Sequence, residues 1–241
     1  FMKIGILNAD KVRPELAHHF GEYPDMFGNL LLNIEPDIDI VVYDVISGDY
    51  PEMIDEVQGY IITGSKMSVY EQIGWIKQLG KFVQELHKKK KKLIGICFGH
   101  QLVAHFLGGK TQKSDKGWGI GIHESILTDS AKHYGIEGQN YNLVCSHQDQ
   151  VVKPAPSSVI LASSEFCPYS MLQIEDHILT FQGHPEFSKD FSRSLLRLRK
   201  NDFEENSYQE GLDSLTKNTD AHEVGKWIVN FIKGNLSSRQ P

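Results

Sequence analysis

The sequence predicts an α/β protein with a mainly parallel central sheet, flanking helices and extra antiparallel strands in its second half. Three observations predict it. Short β-branched runs alternate with segments of helical periodicity up to about residue 107, the rhythm of β-α-β units. Two of these runs end at Gly64 and at the glycine-flanked Cys97, and parallel sheets place ligands beyond the carboxyl ends of their strands. After about Gly119, short apolar runs follow one another in hairpin-like succession.

The elements follow in order. Lys3 to Asn8 (KIGILN) is a first strand, and Pro14 to Asn33 has mixed helical spacing interrupted by Gly21 and Pro24. Ile38 to Tyr43 and Gly59 to Thr63 are strands, because both are rich in β-branched or aromatic residues. Ile73 to Lys89 is a helix whose apolar stripe runs through Ile76, Leu79, Phe82, Val83 and Leu86. Leu93 to Ile96 is a fourth strand, and Leu102 to Leu107 continues a helix that Gly108-Gly109 stops. Gly119–Leu127, Leu143–Ser146, Val159–Ser163, Ser170–Ile174 and Ile178–Gln182 are the later strands. Phe187 to Lys200 and Ala221 to Lys233 are helices, while the polar stretch Asn201 to Asp220 reads equally as loop or loose helix. The whole of 1–241 is expected to form a single domain, with about 201–241 as a C-terminal helical extension.

Composition narrows the function. With 40% hydrophobic residues the chain can bury a sizeable core, and a net charge of -6 argues against nucleic acid as a partner. The dense basic run Lys88 to Lys92 closes a helix, where cations suit the negative dipole end. Three scattered cysteines form neither a disulfide framework nor a zinc pattern, so a reducing, cytoplasmic setting is expected. No run of about 18 apolar residues appears, so no membrane span is expected. The chain runs directly into a strand without a signal-peptide pattern, and Phe1 ahead of Met2 reads as foreign to the natural start. No metal and no cofactor is expected: the chain has no Walker loop, no dinucleotide fingerprint and no ligand spacing among its histidines.

The chemistry concentrates in two segments. In Leu93-Ile94-Gly95-Ile96-Cys97-Phe98-Gly99-His100-Gln101 a strand breaks at a cysteine and turns at once into a helix. A nucleophile on such a turn has a strained backbone and needs small neighbours, which Gly95 and Gly99 supply. The helix that follows aims its free N–H groups at the sulfur and favours its anion. In Phe181-Gln182-Gly183-His184-Pro185-Glu186-Phe187, Pro185 holds His184 extended. Residues i and i+2 of an extended segment project to one side, so His184 and Glu186 are placed to act together. A cysteine nucleophile needs a base, and the base needs an orienting acceptor; Cys97, His184 and Glu186 fill those roles.

The motifs Gly-Ile-Cys-Phe-Gly-His-Gln at 95–101 and Gly-His-Pro-Glu at 183–186 resemble the paired signatures of class I glutamine amidotransferases. The resemblance runs from the first strand to about Phe187. It implies a flavodoxin-like three-layer fold and a Cys-His-Glu triad that attacks the glutamine side-chain amide. It further implies a γ-glutamyl thioester and release of ammonia. The matching positions imply an oxyanion site of backbone N–H groups from Phe98 and from Thr63-Gly64-Ser65. They imply substrate contacts at Gln101 and at Ser146-His147-Gln148-Asp149, with Trp118 in a matching Gly-Trp segment. Gln101 has a structural alternative as a polar helix-start residue, His147 is the runner-up base, and Tyr70 and Trp75 read as packing under a loop.

Where many relatives have Gly-Gly-Pro in the oxyanion loop, this chain has Gly64-Ser65-Lys66, and its segment Thr63-Gly64-Ser65-Lys66-Met67-Ser68-Val69-Tyr70 with Trp75 looks more like the free-standing GMP-synthase-like and γ-glutamyl-peptidase-like members. Only about 55 residues follow Gly-His-Pro-Glu, too few for a synthetase domain. Three functions stay open on these residues. One is a glutaminase that releases ammonia for a separate synthetase. Another is a γ-glutamyl peptidase or hydrolase acting on γ-glutamyl peptides. The third is a catalytically idle regulatory or binding module. A weak homodimer is common among such domains, and the residues leave the oligomeric state open.

Overall fold

The computed structural model describes residues 1–236; the last five residues of the expected helical extension lie outside them. The chain forms β1 (Met2–Asn8), α1 (Pro14–Phe20), α2 (Tyr23–Leu32), β2 (Ile38–Asp44), β3 (Gly59–Ile62), α3 (Gly74–Lys88), β4 (Lys92–Ile96) and α4 (Phe98–Phe106). It continues through β5 (Lys110–Lys113), β6 (Gly119–Leu127), α5 (Asp129–His133), β7 (Asn140–His147), β8 (Asp149–Lys153), β9 (Ser158–Ser163), β10 (Met171–Ile174) and β11 (Ile178–Phe181). α6 (Lys189–Leu198), α7 (Glu205–Ser214) and α8 (Ala221–Ile232) follow.

One nine-stranded sheet runs in the order β2-β1-β3-β4-β11-β10-β9-β6-β7, and β5 pairs with β8 apart from it. β2, β1, β3, β4 and β11 are parallel neighbours; from β11 to β7 every pairing is antiparallel. The strand alternation explains the layers. Ile4, Ile6, Ile61, Ile94 and Ile96 point to one face, where α8 packs through Val224, Ile228 and Phe231. Leu7, Tyr60, Ile62 and Leu93 point to the other, under Leu79, Val83 and Leu86 of α3 and Leu102 of α4. With both faces covered, these strands read as continuous apolar runs. This is the flavodoxin-like three-layer architecture expected from the sequence.

Some elements differ from the sequence reading. Pro14–Asn33 is two helices, because Gly21 adopts φ 76° between them and its amide closes α1 on Ala17. The polar stretch after Asn201 contains α7, which is pinned by buried Tyr208 and by Gly211 against Ile120. β5, β8 and the one-turn α5 carry too few apolar residues to show a period. The basic run ends α3 as expected, and Lys90 and Lys91 pair with Glu175 and Asp55. No helix among the described residues is long and apolar enough to cross a membrane.

The strand that matters most for the site is β11. It leaves β10 as an antiparallel hairpin and lies parallel beside β4, with Phe181 opposite Ile96. The chain ends that follow these two strands, at Cys97 and at Gln182-Gly183-His184, therefore emerge side by side.

Candidate active site

Cys97 sits between β4 and α4 with φ 52° and ψ -99°, a region a non-glycine residue enters only when its surroundings force it. The surroundings are crowded, as the sequence predicts. A Cβ on Gly95 would stand 2.7 Å from the Gly99 backbone, and one on Gly99 would stand 2.6 Å from the Ile62 carbonyl. The Cys97 amide is fixed by donation to the Phe181 carbonyl at 2.9 Å. Phe98 opens α4, so its N–H has no partner within the helix.

His184 is held from three sides. Its amide donates to the Val144 carbonyl at 2.8 Å, which also draws the end of β7 to the site. Its Nδ1 lies 3.2 and 3.1 Å from the two oxygens of Glu186, and the Cys97 sulfur lies within electrostatic reach of the ring. Its face stacks on Phe187. Both His184 and Glu186 are buried. Burial disfavours the imidazolium, but the Glu186 carboxylate and then the Cys97 sulfur overcome it and push His184 up to about 10. Because Nδ1 faces Glu186, Nε2 is the nitrogen left for the sulfur. Burial raises the thiols of the two other cysteines, that of Cys167 to about 12, so they stay protonated.

The loop after β3 closes over this pair. Thr63 Oγ1 accepts from the Ala9 amide at 2.9 Å and donates to the Gly64 carbonyl at 3.0 Å. Asp10 accepts from the amides of Lys11 and Lys66, both at 2.8 Å. Gly64 lies against the imidazole: a Cβ there would reach 2.9 Å from His184 Cε1 and 3.7 Å from Cys97 Cβ. Further along the loop, Ser68 and Tyr70 donate to the Asp149 carboxylate at 2.6 and 2.9 Å, so Tyr70 is a tether where packing was expected. Trp75 does pack, tilted on Phe98.

A cavity of about 440 Å³ opens above the sulfur. Cys97, His184, Gly64, Ser65 and Ser146 line it, so five residues expected at the site share one wall. Tyr23, Phe187 and Leu195 form an apolar side. Lys11, Arg13, Lys66 and Arg199 ring the mouth with Asp10 and Asp202. Asp10 is taken by backbone amides and Asp202 by Arg199 at 3.0 Å, whereas Lys11, Arg13 and Lys66 make no ion pair among the described residues. The mouth is therefore electropositive in a chain that is acidic as a whole.

Gln101 and His147 lie behind that wall. Gln101 Nε2 donates to the Asp149 carbonyl at 2.8 Å and to Gln182 Oε1 at 3.1 Å. His147 is buried and pulled to about 3 by burial, with Nδ1 3.1 Å from the Asp149 carbonyl. Trp118 lies beneath the Arg199 guanidinium, 4.7 Å away, beside the cavity. Sequence reasoning gave no role to Gln182, which donates to Cys97 Sγ at 3.5 Å. The period-two rule that paired His184 with Glu186 also reaches back to Gln182. Asp10, Tyr23 and Arg199 had no local signal, since only the sheet order brings them here.

Comparison with known proteins fits this geometry. Residues 30–199 match the family model described as glutamine amidotransferase class-I. The chain is 32% identical to gamma-glutamyl peptidase 2 of Arabidopsis thaliana over 201 residues, 80% of this chain and 81% of that protein. It is also 32% identical to a glutamine amidotransferase-like protein of Schizosaccharomyces pombe, over 95% of this chain and 98% of that one. A crystal structure of a glutamine amidotransferase from Methylobacillus flagellatus superposes with a TM-score of 0.74 at 19% identity, covering 100% of this chain and 96% of that one.

Proposed function

Since the chain belongs to the class-I glutamine amidotransferase family, we propose that it hydrolyses γ-glutamyl amide bonds through a thioester on Cys97, with γ-glutamyl peptides as substrates. The observation that carries this reading is the meeting of Cys97 and His184 on one cavity, with Glu186 held on the Nδ1 side of His184.

The chemistry follows from the atoms. The Cys97 sulfur, as thiolate beside the His184 imidazolium, attacks the γ-carbonyl and forms a C–S bond. The oxyanion is held by the Phe98 N–H and a second amide from Gly64-Ser65, donors already fixed in place before reaction. His184 Nε2 gives its proton to the leaving amine as the C–N bond breaks, leaving a γ-glutamyl thioester. Water then attacks that carbonyl and yields its proton to His184, and the C–S bond breaks to return the thiolate and free glutamate. Glu186 keeps Nδ1 protonated throughout and stabilises the imidazolium.

The electropositive mouth supports a peptide as leaving group. Lys11, Arg13 and Lys66 suit a substrate with carboxylates beyond the one on the γ-glutamyl group. The family name favours a second reading, in which glutamine is the substrate and the released ammonia serves a separate synthetase. The purified protein and its Cys97→Ala variant, given glutamine and a panel of γ-glutamyl peptides, distinguish them. Cys97-dependent amine release from peptides above ammonia release from glutamine is expected; the reverse order selects the second reading, and release that survives Cys97→Ala removes both.

A further inference from the structure

Gln182 is 1% exposed and makes three hydrogen bonds. Its backbone amide donates to the Ser170 carbonyl at 2.9 Å, Oε1 accepts from Gln101 Nε2 at 3.1 Å, and Nε2 donates to Cys97 Sγ at 3.5 Å. The orientation of both amides is fixed by the far end of this chain of bonds. The Asp149 carbonyl can only accept, so the Gln101 atom 2.8 Å from it must be nitrogen. That nitrogen's second hydrogen meets the Gln182 side chain, so the Gln182 atom there must be oxygen. The NH2 group of Gln182 is then the end that faces the sulfur.

We infer that Gln182 is a catalytic residue that donates an N–H to the Cys97 sulfur and stabilises it as the nucleophilic anion, and that Gln101 is its positioning residue. The inference rests on Cys97 being the nucleophile proposed above. A hydrogen bond to an ionised acceptor is about twice as strong as one to a neutral group. This donor therefore holds the sulfur best when it is charged, before attack and again when the thioester breaks. It complements His184, which supplies charge to the same sulfur. It also gives Gln101 work at a distance from substrate, since Gln101 is spent on Asp149 and Gln182 and does not line the cavity.

The test is the rate of Cys97 alkylation by iodoacetamide, measured by mass spectrometry across pH 5 to 10 and read against Cys97→Ala. Gln182→Met keeps the length of the side chain and removes the donor. Its alkylation at pH 7 should fall about tenfold and converge with wild type near pH 10, with hydrolysis falling in step. Gln101→Met should produce a smaller loss of the same pH shape, and it serves as the test if Gln182→Met does not fold. A merely structural role for Gln182 would change thermal stability without this pH-dependent loss. Unchanged alkylation at pH 7 in a folded Gln182→Met overturns the inference and leaves the nucleophile standing. Wild-type Cys97 that reacts no faster at pH 7 than a free thiol removes the nucleophile reading, and this inference with it.

Discussion

The imidazole of His184 lies face to face with the ring of Phe187, the centroids 3.9 Å apart and the planes 7° from parallel. Phe187 is itself braced edge-on by Phe191 and stacked by Tyr23. The ring thus does two things: it blocks one side of the imidazole from water, and its negative face attracts the imidazolium. Phe187→Leu keeps an apolar side chain and removes the face. Hydrolysis at pH 7 should fall roughly three- to tenfold, the size of a partly desolvated cation–π contact, with little change in substrate KM. Steady-state kinetics on a γ-glutamyl peptide would check it; an unchanged kcat would reduce Phe187 to packing alone.

Glu186 sets the charge of His184, and the consequence has a definite sign. His184 binds its proton more tightly when folded, at about 10, than when unfolded, at about 6.5. The stability this contributes is fully present below pH 6.5 and is lost as pH rises through 10. Glu186→Gln removes the first cause of the upward push, leaving burial to pull His184 down. Urea denaturation should show a stability decline from pH 6.5 to 10 in wild type that flattens in the variant. Peptide hydrolysis at pH 7 should drop at least a hundredfold. Parallel stability curves for the two proteins would contradict this account.

Gly64 tests how closely the loop after β3 is fitted to the His184 imidazole. A methyl group there has no space, because it would stand 2.9 Å from His184 Cε1. The loop is tied to β1 through Thr63 and Asp10, and to β8 through Asp149, so it cannot simply back away. Gly64→Ala should therefore displace the imidazole or the donor amides, with a loss of roughly a hundredfold in kcat and nearly unchanged thermal stability. Ser65→Ala, which removes only the hydroxyl that accepts from the Met67 amide, should cost far less. Equal losses in both variants would mean that the loop conformation, rather than the fit at Gly64, is what matters.

The sequence made the local half of this site legible and left the non-local half hidden. Cys97 with its two glycines, and His184 with Glu186, are defined by neighbours within four residues, and their geometry follows from a strained turn and an extended segment. The cationic mouth is different. Lys11 and Arg13 follow β1, Lys66 follows β3 and Arg199 ends α6, and only the order β1-β3-β4-β11 sets these ends around one opening. The same limit hid β11: read alone it was one more hairpin strand, and its parallel pairing with β4 is a contact across more than eighty residues. Gln101 shows a related effect. Its place in the motif is local, but the partners that consume its amide, Asp149 and Gln182, come from two distant strand ends.

The mouth yields the prediction that reports on substrate. Lys66 stands in the loop after β3, and with Lys11 and Arg13 it forms a cluster of cations that make no ion pair among the described residues. An exposed cation contributes about 0.5–1 kcal/mol to binding a carboxylate, so each substitution is a matter of a few-fold and the pair is more telling. Lys66→Ala with Arg13→Ala should lower kcat/KM for a γ-glutamyl dipeptide about tenfold while leaving the corresponding C-terminal amide almost unaffected. Raising salt from 50 to 500 mM should narrow the wild-type preference for the free acid in the same direction, because these charges are open to screening. Equal losses on the acid and the amide would place the two side chains at the γ-glutamyl end of the substrate, and no loss on either would leave the positive mouth as a surface feature without a part in selection.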